Sequence, residues 1–292
     1  MKKHYQIKLN LYAELIRLDK PIGIYLLLWP TLWALFLAAD GLPPLDISLV
    51  FIIGVVLMRS AGCAINDFAD RKIDPHVART AQRPIASGRI SAREALGVFG
   101  ALSLVAFALA LLVLNDLSIQ MAWVALALAA SYPFMKRYHF LPQVHLGLAF
   151  AWAIPMAVAA ISNTFPSSWA WLLFLATVLW TTTYDTIYAI MDRQDDIKIG
   201  VRSTAILFGS ADRLIIALLQ ILTLLSLIAV GLQLDLRYWY FVSLTLVGCL
   251  FFYQQFLIAE YEPQACLRAF QNNHYVGLCV FLGILMSDWL PI

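Results

Sequence analysis

Residues 51–74 read FIIGVVLMRSAGCAINDFADRKID, an apolar run that passes without a break into an acidic segment. The apolar part belongs to a run long enough to cross a bilayer as a helix, which takes about 20 residues. Asn66, Asp70 and Asp74 follow one another at intervals of four, so on a helix their oxygen atoms would share one face. Like charges at this spacing repel each other, so the pattern predicts a bound cation at the end of a membrane span.

A second stretch, residues 171–198, repeats the arrangement: WLLFLATVLWTTTYDTIYAIMDRQDDIK. Asp192 follows Asp70 by 122 residues, and Asp196 follows Asp74 by the same 122. The constant offset predicts a parallel internal duplication in which two acidic segments, 66–74 and 192–196, face each other across a cavity. Hard oxygen ligands suit Mg²⁺, which takes one or two carboxylates and completes its shell with water and phosphate oxygens. The predicted magnesium ligands are Asn66, Asp70, Asp74, Asp192 and Asp196.

The composition fits an all-α integral membrane protein. Of the 292 residues, 62% are hydrophobic and 13% are charged, whereas soluble domains are about 45–50% apolar and about 25% charged. We interpret residues 1–292 as a single polytopic domain with about nine spans. The predicted spans are Ile22–Ala39, Ser48–Ile65, Ala95–Leu114, Ile119–Phe134, Val144–Ile161, Trp169–Ile187, Leu214–Leu232, Trp239–Ile258 and His274–Leu290.

The distribution of basic residues predicts the orientation of these spans. With nine spans, 18 of the 20 lysines and arginines fall on the side of the N-terminus and the acidic loops. Lys and Arg accumulate on the cytoplasmic side of membranes. We therefore expect a bacterial inner-membrane protein whose N-terminus and acidic loops are cytoplasmic and whose C-terminus is periplasmic. The net charge of +2 gives no indication of nucleic-acid binding.

Basic residues alternate with the acids in both segments. The positive-inside bias alone could explain them. Together with Mg²⁺ they could also neutralise a diphosphate leaving group. The residues concerned are Arg71, Lys72, Arg79, Arg83, Arg193, Lys198 and Arg202.

Three motifs resemble those of the UbiA family of intramembrane prenyltransferases. The run Asn66–Ser91, NDFADRKIDPHVARTAQRPIASGRIS, resembles the first family signature, and Tyr184–Gly209, YDTIYAIMDRQDDIKIGVRSTAILFG, resembles the second. A third feature, YxxxK, falls on Tyr132 and Lys136. The resemblance covers nearly the whole chain. It implies nine helices around a central cavity, Mg²⁺, a polyprenyl diphosphate donor and an outlet for the prenyl tail into membrane lipid.

Within the family, the phrases DRKIDPHVART, RPIASGRIS and DRQDDIKIGVRST most resemble members that prenylate 4-hydroxybenzoate in ubiquinone biosynthesis. The acidic patterns alone would also admit relatives acting on homogentisate, dihydroxynaphthoate, haem or chlorophyllide. The resemblance implies prenyl transfer to the ring carbon ortho to the hydroxyl group. The residues expected to bind the diphosphate are Tyr132, Lys136, Lys198 and Arg202, and Asp67 or Asp74 is expected to remove the ring proton. The acceptor carboxylate needs a cation, for which the candidates are Arg59, seven residues before Asn66, and Arg17; Arg59 could instead pair with a carboxylate of the protein.

Two readings from other classes remain open at this stage. Intramembrane acids also carry cations in secondary transporters, although transporters often have inverted repeats and acids at the bilayer midplane. A membrane scaffold or quinone-binding protein would leave the repeated acids unexplained. Both differ from the prenyltransferase in forming no product from a prenyl diphosphate.

Overall fold

The computed structural model describes residues 2–77 and 80–289; Arg79 and the predicted end of the last span, Leu290, lie outside them. The described residues form helices joined by loops, the longest between α3 and α4, and no strand. The helices are α1 (Lys2–Leu15), α2 (Ile22–Ala39), α3 (Leu45–Asp70), α4 (Ala92–Val113), α5 (Asp116–Met135), α6 (Pro142–Ala151), α7 (Ala153–Ser162), α8 (Ser168–Ile199), α9 (Thr204–Phe208), α10 (Asp212–Gln233), α11 (Tyr238–Leu257) and α12 (Pro263–Trp289).

In the described part of the chain, seven helical segments are long and apolar enough to cross a membrane. These are α2, α3, α4, α5, the α6–α7 pair, the segment containing α10, and α11. The sixth and ninth predicted spans fall on α8 and α12, which are long but interrupted by polar runs such as TTTYD at 181–185 and QNNH at 271–274. The all-helical membrane architecture is thus confirmed, while the count of nine spans stays a prediction.

Proline explains why the fifth predicted span is divided into two helices. α6 ends at Ala151 and α7 begins at Ala153, and Pro155 follows within the first turn of α7. Proline has no N–H to donate to the carbonyl four residues earlier, here that of Ala151, and its ring crowds that carbonyl. The chain therefore bends at this point while remaining helical on both sides.

The two acidic segments differ in local structure. α3 ends at Asp70, and Asp74 begins a separate short 3₁₀ helix, Asp74–His76. Pro75 contributes to the break, because it has no N–H to donate to the carbonyl of Arg71, four residues earlier, and its ring would crowd that carbonyl in a continuing α-helix. The expected single helical face therefore holds for Asn66 and Asp70 and is wrong for Asp74.

The second acidic segment lies entirely on one helix. α8 continues 12 residues beyond the predicted span end at Ile187 and stops at Ile199, where Gly200 takes the left-handed conformation with φ of 73°. Asp192 and Asp196 therefore do share a helix face, one turn apart. The proposed duplication remains a prediction, with two halves that are not equivalent in structure.

The bundle is held by an aromatic core and by buried amides. The rings of Trp33 and Trp180 lie 5.3 Å apart between α2 and α8. Gln220 Nε2 donates to Gln254 Oε1 at 3.0 Å, and Gln254 Nε2 donates to Asn272 Oδ1 at 2.9 Å. Interhelical amide hydrogen bonds stabilise packing where lipid offers no competing partner. This chain of amides fixes α10, α11 and α12 against one another.

The outer surface is apolar. α4 exposes leucines along its length, among them Leu104, Leu111 and Leu112, the last being 80% exposed. Such a continuous apolar surface would drive aggregation in water but suits contact with lipid chains.

Candidate active site

A cavity of about 1320 Å³ opens at the ends of α3, α5 and α8. These three C-terminal ends meet on one side of the bundle: Lys136, just after α5, contacts Asp70 at the end of α3, and its carbonyl accepts from Arg202 N, after α8, at 3.0 Å. Helix C-termini carry partial negative charge and favour cations. The cavity exceeds the roughly 300–1,000 Å³ of a small-ligand pocket, so it can hold a long substrate.

Asp67 is the most enclosed acid of the first segment. Its carboxylate accepts from Arg17 Nη2 at 2.7 Å and from Arg83 Nη1 at 3.2 Å, and the residue is 1% exposed. Arg17 lies just after α1, and Arg83 lies in the loop between α3 and α4. Asp67 therefore joins the N-terminal segment and this loop to α3.

Asp70 is bound on one side only. Its Oδ2 accepts from the ammonium of Lys136, whereas its Oδ1 is buried and has no hydrogen-bond partner in the structure. A buried carboxylate oxygen without a partner is costly. The unpaired oxygen marks the point where a further cation fits.

Asp74 reaches the same region from the 3₁₀ helix. Its Oδ2 accepts from Arg83 Nη1 at 3.0 Å, so one guanidinium bridges Asp67 and Asp74. Thr80 donates to the backbone carbonyl of Asp74 at 2.9 Å and holds the turn. Burial raises the pKa of the Asp74 carboxyl above its ordinary value, and Arg83 opposes that shift.

On the opposite side, α8 contributes Asp192 and Asp196, and both line the cavity. The next residue after Asp192, Arg193, points elsewhere. Arg193 forms an ion pair with the fully buried Asp212 of α10 and lies over the ring of Tyr261. Arg193 therefore ties α8 to α10 and is not part of the cavity wall.

The structure places three of the four predicted diphosphate-binding residues at the cavity: Tyr132, Lys136 and Arg202. Lys198 is not among the lining residues. Its ammonium lies 3.2 Å from Asp195 on the exposed surface of α8. Helical periodicity explains this, because positions 195 and 198 fall on a different face from 192 and 196.

The two predicted acceptor-binding arginines also line the cavity. Arg59 Nη1 donates to the carbonyl of Ile16 at 3.2 Å and to Cys63 Sγ at 2.9 Å, and its Nη2 donates to the carbonyl of Lys20 at 3.4 Å. A Cβ on Gly23 would approach Arg59 Nε to 2.5 Å, so glycine makes room for this guanidinium. Arg59 thus holds the turn between α1 and α2 against α3.

The donor set fits magnesium shared with a diphosphate. In the described part of the chain, no three His, Cys, Asp or Glu side chains converge on one point. Mg²⁺ bound with a nucleotide or diphosphate commonly uses only one or two carboxylates, with phosphate oxygens supplying other ligands. The free Oδ1 of Asp70 and the acids of α8 match this requirement.

The chain is an all-helical membrane bundle with acidic helix ends around one large cavity. This combination is typical of one class of protein, the intramembrane prenyltransferases. Residues 27–283 match the UbiA prenyltransferase family. The chain belongs to this family and is a prenyltransferase, which sets aside the transporter and scaffold readings.

Bacterial relatives share more than half of the sequence. The chain is 56% identical over 280 residues to "4-hydroxybenzoate octaprenyltransferase" of Photobacterium profundum, covering 96% of this chain and 97% of that protein. It is 57% identical over 276 residues to the protein of the same name from Saccharophagus degradans, covering 94% and 92%.

Solved structures share the fold. The apo structure of a UbiA homolog from Aeropyrum pernix K1 superposes with a TM-score of 0.80 at 28% identity, covering 90% of this chain and 97% of that one. A UbiA homolog from Archaeoglobus fulgidus bound to GPP and Mg²⁺ superposes with a TM-score of 0.70 at 18% identity, covering 94% and 99%.

Sequence reasoning overlooked one cavity residue with functional chemistry, Asp185 of α8. Two signals could have found it. It is a carboxylate within a predicted span, where ionisable groups are rare and functional. It also precedes Asp192 by seven residues, which on a helix is about two turns along the same face.

Proposed function

We propose that this chain transfers a polyprenyl group from polyprenyl diphosphate to 4-hydroxybenzoate, at the ring carbon ortho to the hydroxyl, in ubiquinone biosynthesis. The observation that carries this proposal is the cavity. Its opening is lined by the carboxylates of the two acidic segments, which favour bound cations, and its interior walls are apolar. The names of the relatives at 56% and 57% identity support the choice of acceptor and a long prenyl chain.

The diphosphate group would bind between the two acidic segments. Asn66, Asp70 and Asp74 on one side and Asp192 and Asp196 on the other would hold about two Mg²⁺ ions. Bound magnesium would supply electrophilic stabilisation of the leaving diphosphate. The carboxylates themselves repel a diphosphate, so the metal and the neighbouring cations decide whether it binds.

Three side chains of the cavity would contact the diphosphate directly: Tyr132, Lys136 and Arg202. Lys136 carries its charge at the end of α5, where the helix dipole favours a cation. The position of Lys198 on the outer face of α8 supports a weaker, longer-range contribution from that residue.

The apolar part of the cavity would hold the prenyl chain and keep water from the reacting carbon. Its wall includes Leu26, Phe51, Phe107, Leu126 and Phe150. Departure of the diphosphate breaks the C–O bond and leaves an allylic cation, which water would quench. Excluding water from the site is therefore a condition for transfer to the aromatic ring.

The acceptor carboxylate would meet the guanidinium groups of Arg59 and Arg17. Both line the cavity; Arg17 is held by the Asp67 carboxylate, and Arg59 is held by the carbonyls of Ile16 and Lys20. A guanidinium has five N–H donors, so each can bind a carboxylate while keeping these contacts. The sequence-based candidates for the ring-proton acceptor, Asp67 and Asp74, lie nearby and are both paired with arginine.

We further propose that the protein is a multi-pass protein of the bacterial inner membrane with the site at the cytoplasmic side. The meeting of the C-terminal ends of α3, α5 and α8 at one side supports this orientation, since the basic residues cluster there. The N-terminus would then be cytoplasmic and the C-terminus periplasmic.

The test is a membrane assay with labelled polyprenyl diphosphate, Mg²⁺ and 4-hydroxybenzoate, run beside homogentisate and dihydroxynaphthoate. We expect a lipophilic prenylated product from 4-hydroxybenzoate, its loss with EDTA, and recovery on adding Mg²⁺. Asp192→Ala should abolish turnover while the protein still inserts into the membrane. Preferential prenylation of another acceptor would refute the proposed substrate, and normal turnover by Asp192→Ala would refute the paired metal site.

A further inference from the structure

Asp185 is a cavity carboxylate that the roles above leave unused. It lies on α8, about two turns from Asp192 toward the interior of the bundle, and it lines the same cavity. Seven residues of helix correspond to about 10 Å along the axis. A ring bound next to the carbon that leaves the diphosphate would occupy this depth.

The surroundings of Asp185 distinguish it from the acids at the mouth. Asp67 and Asp74 are bound by guanidinium groups, and Asp70 is bound by an ammonium group. Within the described part of the chain, the Asp185 carboxylate forms no ion pair and no hydrogen bond. The residue is partly exposed, and it lines the cavity.

A carboxylate held without a counter-ion at membrane depth is costly and is retained where it has a function. Two tyrosines, Tyr132 and Tyr184, lie within electrostatic reach of Asp185. Neither neutralises it. The Asp185 carboxylate is therefore the acidic group facing the part of the bound substrates that lies between the diphosphate and the apolar prenyl tail.

We propose that Asp185 is the catalytic residue that takes the ring proton. This rests on the proposed prenyl transfer. The C–O bond of the prenyl diphosphate breaks with its electron pair leaving on the diphosphate, and a ring π pair forms the new C–C bond. The Asp185 carboxylate then accepts the proton from the substituted ring carbon, and the C–H electron pair restores aromaticity.

Asp67 and Asp74 are less suited to this task, because guanidinium groups already pair with them: Arg17 and Arg83 with Asp67 Oδ1, and Arg83 with Asp74 Oδ2. Asp67 instead becomes a positioning residue for the two guanidinium groups.

The experiment compares wild type, Asp185→Asn and the control Asp195→Asn, which changes an exposed residue of the same helix outside the cavity wall. Each receives 4-hydroxybenzoate with hydrogen or deuterium at the ring positions ortho to the hydroxyl. We expect Asp185→Asn to lower the product-forming rate by about 10²- to 10⁴-fold, the usual contribution of a positioned base. A primary deuterium effect should appear in this variant and be absent from wild type and Asp195→Asn.

Ionisation is followed separately, by migration of a heavy-oxygen label from the bridging position of the prenyl diphosphate. Asp185→Asn should keep label migration and Mn²⁺ binding near wild-type values, because proton removal follows ionisation. A parallel loss of label migration, or product formation at the wild-type rate, would overturn the assignment. If wild type prenylates another phenol and not 4-hydroxybenzoate, the proposed substrate fails, and the same deuterium comparison on that phenol still decides the role of Asp185.

Discussion

Replacing Lys136 by methionine should change metal binding and diphosphate binding in opposite directions. The Lys136 ammonium contacts Asp70 Oδ2, and the two side chains are 22% and 3% exposed. It therefore neutralises the carboxylate that we assign to magnesium. Removing the ammonium should strengthen binding of the metal alone and weaken binding of the negatively charged prenyl diphosphate.

The size of the effect follows from the charges. Two unit charges about 4 Å apart interact by about 4 kcal/mol at an effective dielectric constant of about 20. Because Lys136 is partly exposed, solvent screening reduces the net effect to about 1–2 kcal/mol. Since 1.4 kcal/mol corresponds to about a tenfold change in affinity, the Kd for metal alone should fall about tenfold.

The assay is a Mn²⁺ titration followed by electron paramagnetic resonance, with purified protein in detergent and without prenyl diphosphate. Lys136→Arg serves as the matched control, because it keeps the positive charge beside Asp70. A second titration measures the affinity for prenyl diphosphate at saturating Mn²⁺. Unchanged or weaker binding of metal alone to Lys136→Met would refute the competition between ammonium and metal at Asp70.

Two further predictions concern stability. Asp212→Ala should lower the free energy of unfolding by about 3–5 kcal/mol, because it leaves the partly buried Arg193 without its partner. Asp195→Ala, which breaks an exposed pair on the same helix, should cost less than about 1 kcal/mol, and equal melting temperatures for the two variants would contradict this. Gly277→Ala places a Cβ 2.3 Å from Trp29 Cδ1 and should cost about 1–3 kcal/mol by overpacking α12 against α2; unchanged thermal unfolding in detergent would refute it.

The bounds of the apolar spans could be predicted closely, because a run of apolar residues ends where the helix leaves the hydrocarbon core of the membrane. α2 has the predicted bounds, Ile22–Ala39, and α11 differs from its prediction by one residue at each end. The misses occur where helices continue into polar sequence. α8 runs on to Ile199 and α12 begins at Pro263, because backbone hydrogen bonding does not require apolar side chains.

The composition of the site was readable from the sequence, but its pairing was not. Residue types at spacings of four predicted the acids and their metal. Which cation meets which acid depends on contacts between distant positions, such as Arg17 with Asp67 and Lys136 with Asp70. No local periodicity encodes such a contact, so Arg83, which bridges two acids, was not distinguished from the other basic loop residues.

These pairings divide the carboxylates into two kinds with different consequences for the reaction. Asp67 and Asp74 both form ion pairs with Arg83, and these pairs hold the loop between α3 and α4 against the cavity. Asp70 pairs with Lys136 through one oxygen and keeps the other buried without a partner, and among the described residues none forms an ion pair with Asp185. Carboxylate oxygens without a protein partner therefore remain at two depths. One is at the mouth, where the metal-bound diphosphate would sit, and the other is about 10 Å inward along α8. A transfer that needs a metal ligand at the leaving group and a proton acceptor at the ring has a use for an available carboxylate oxygen at both places.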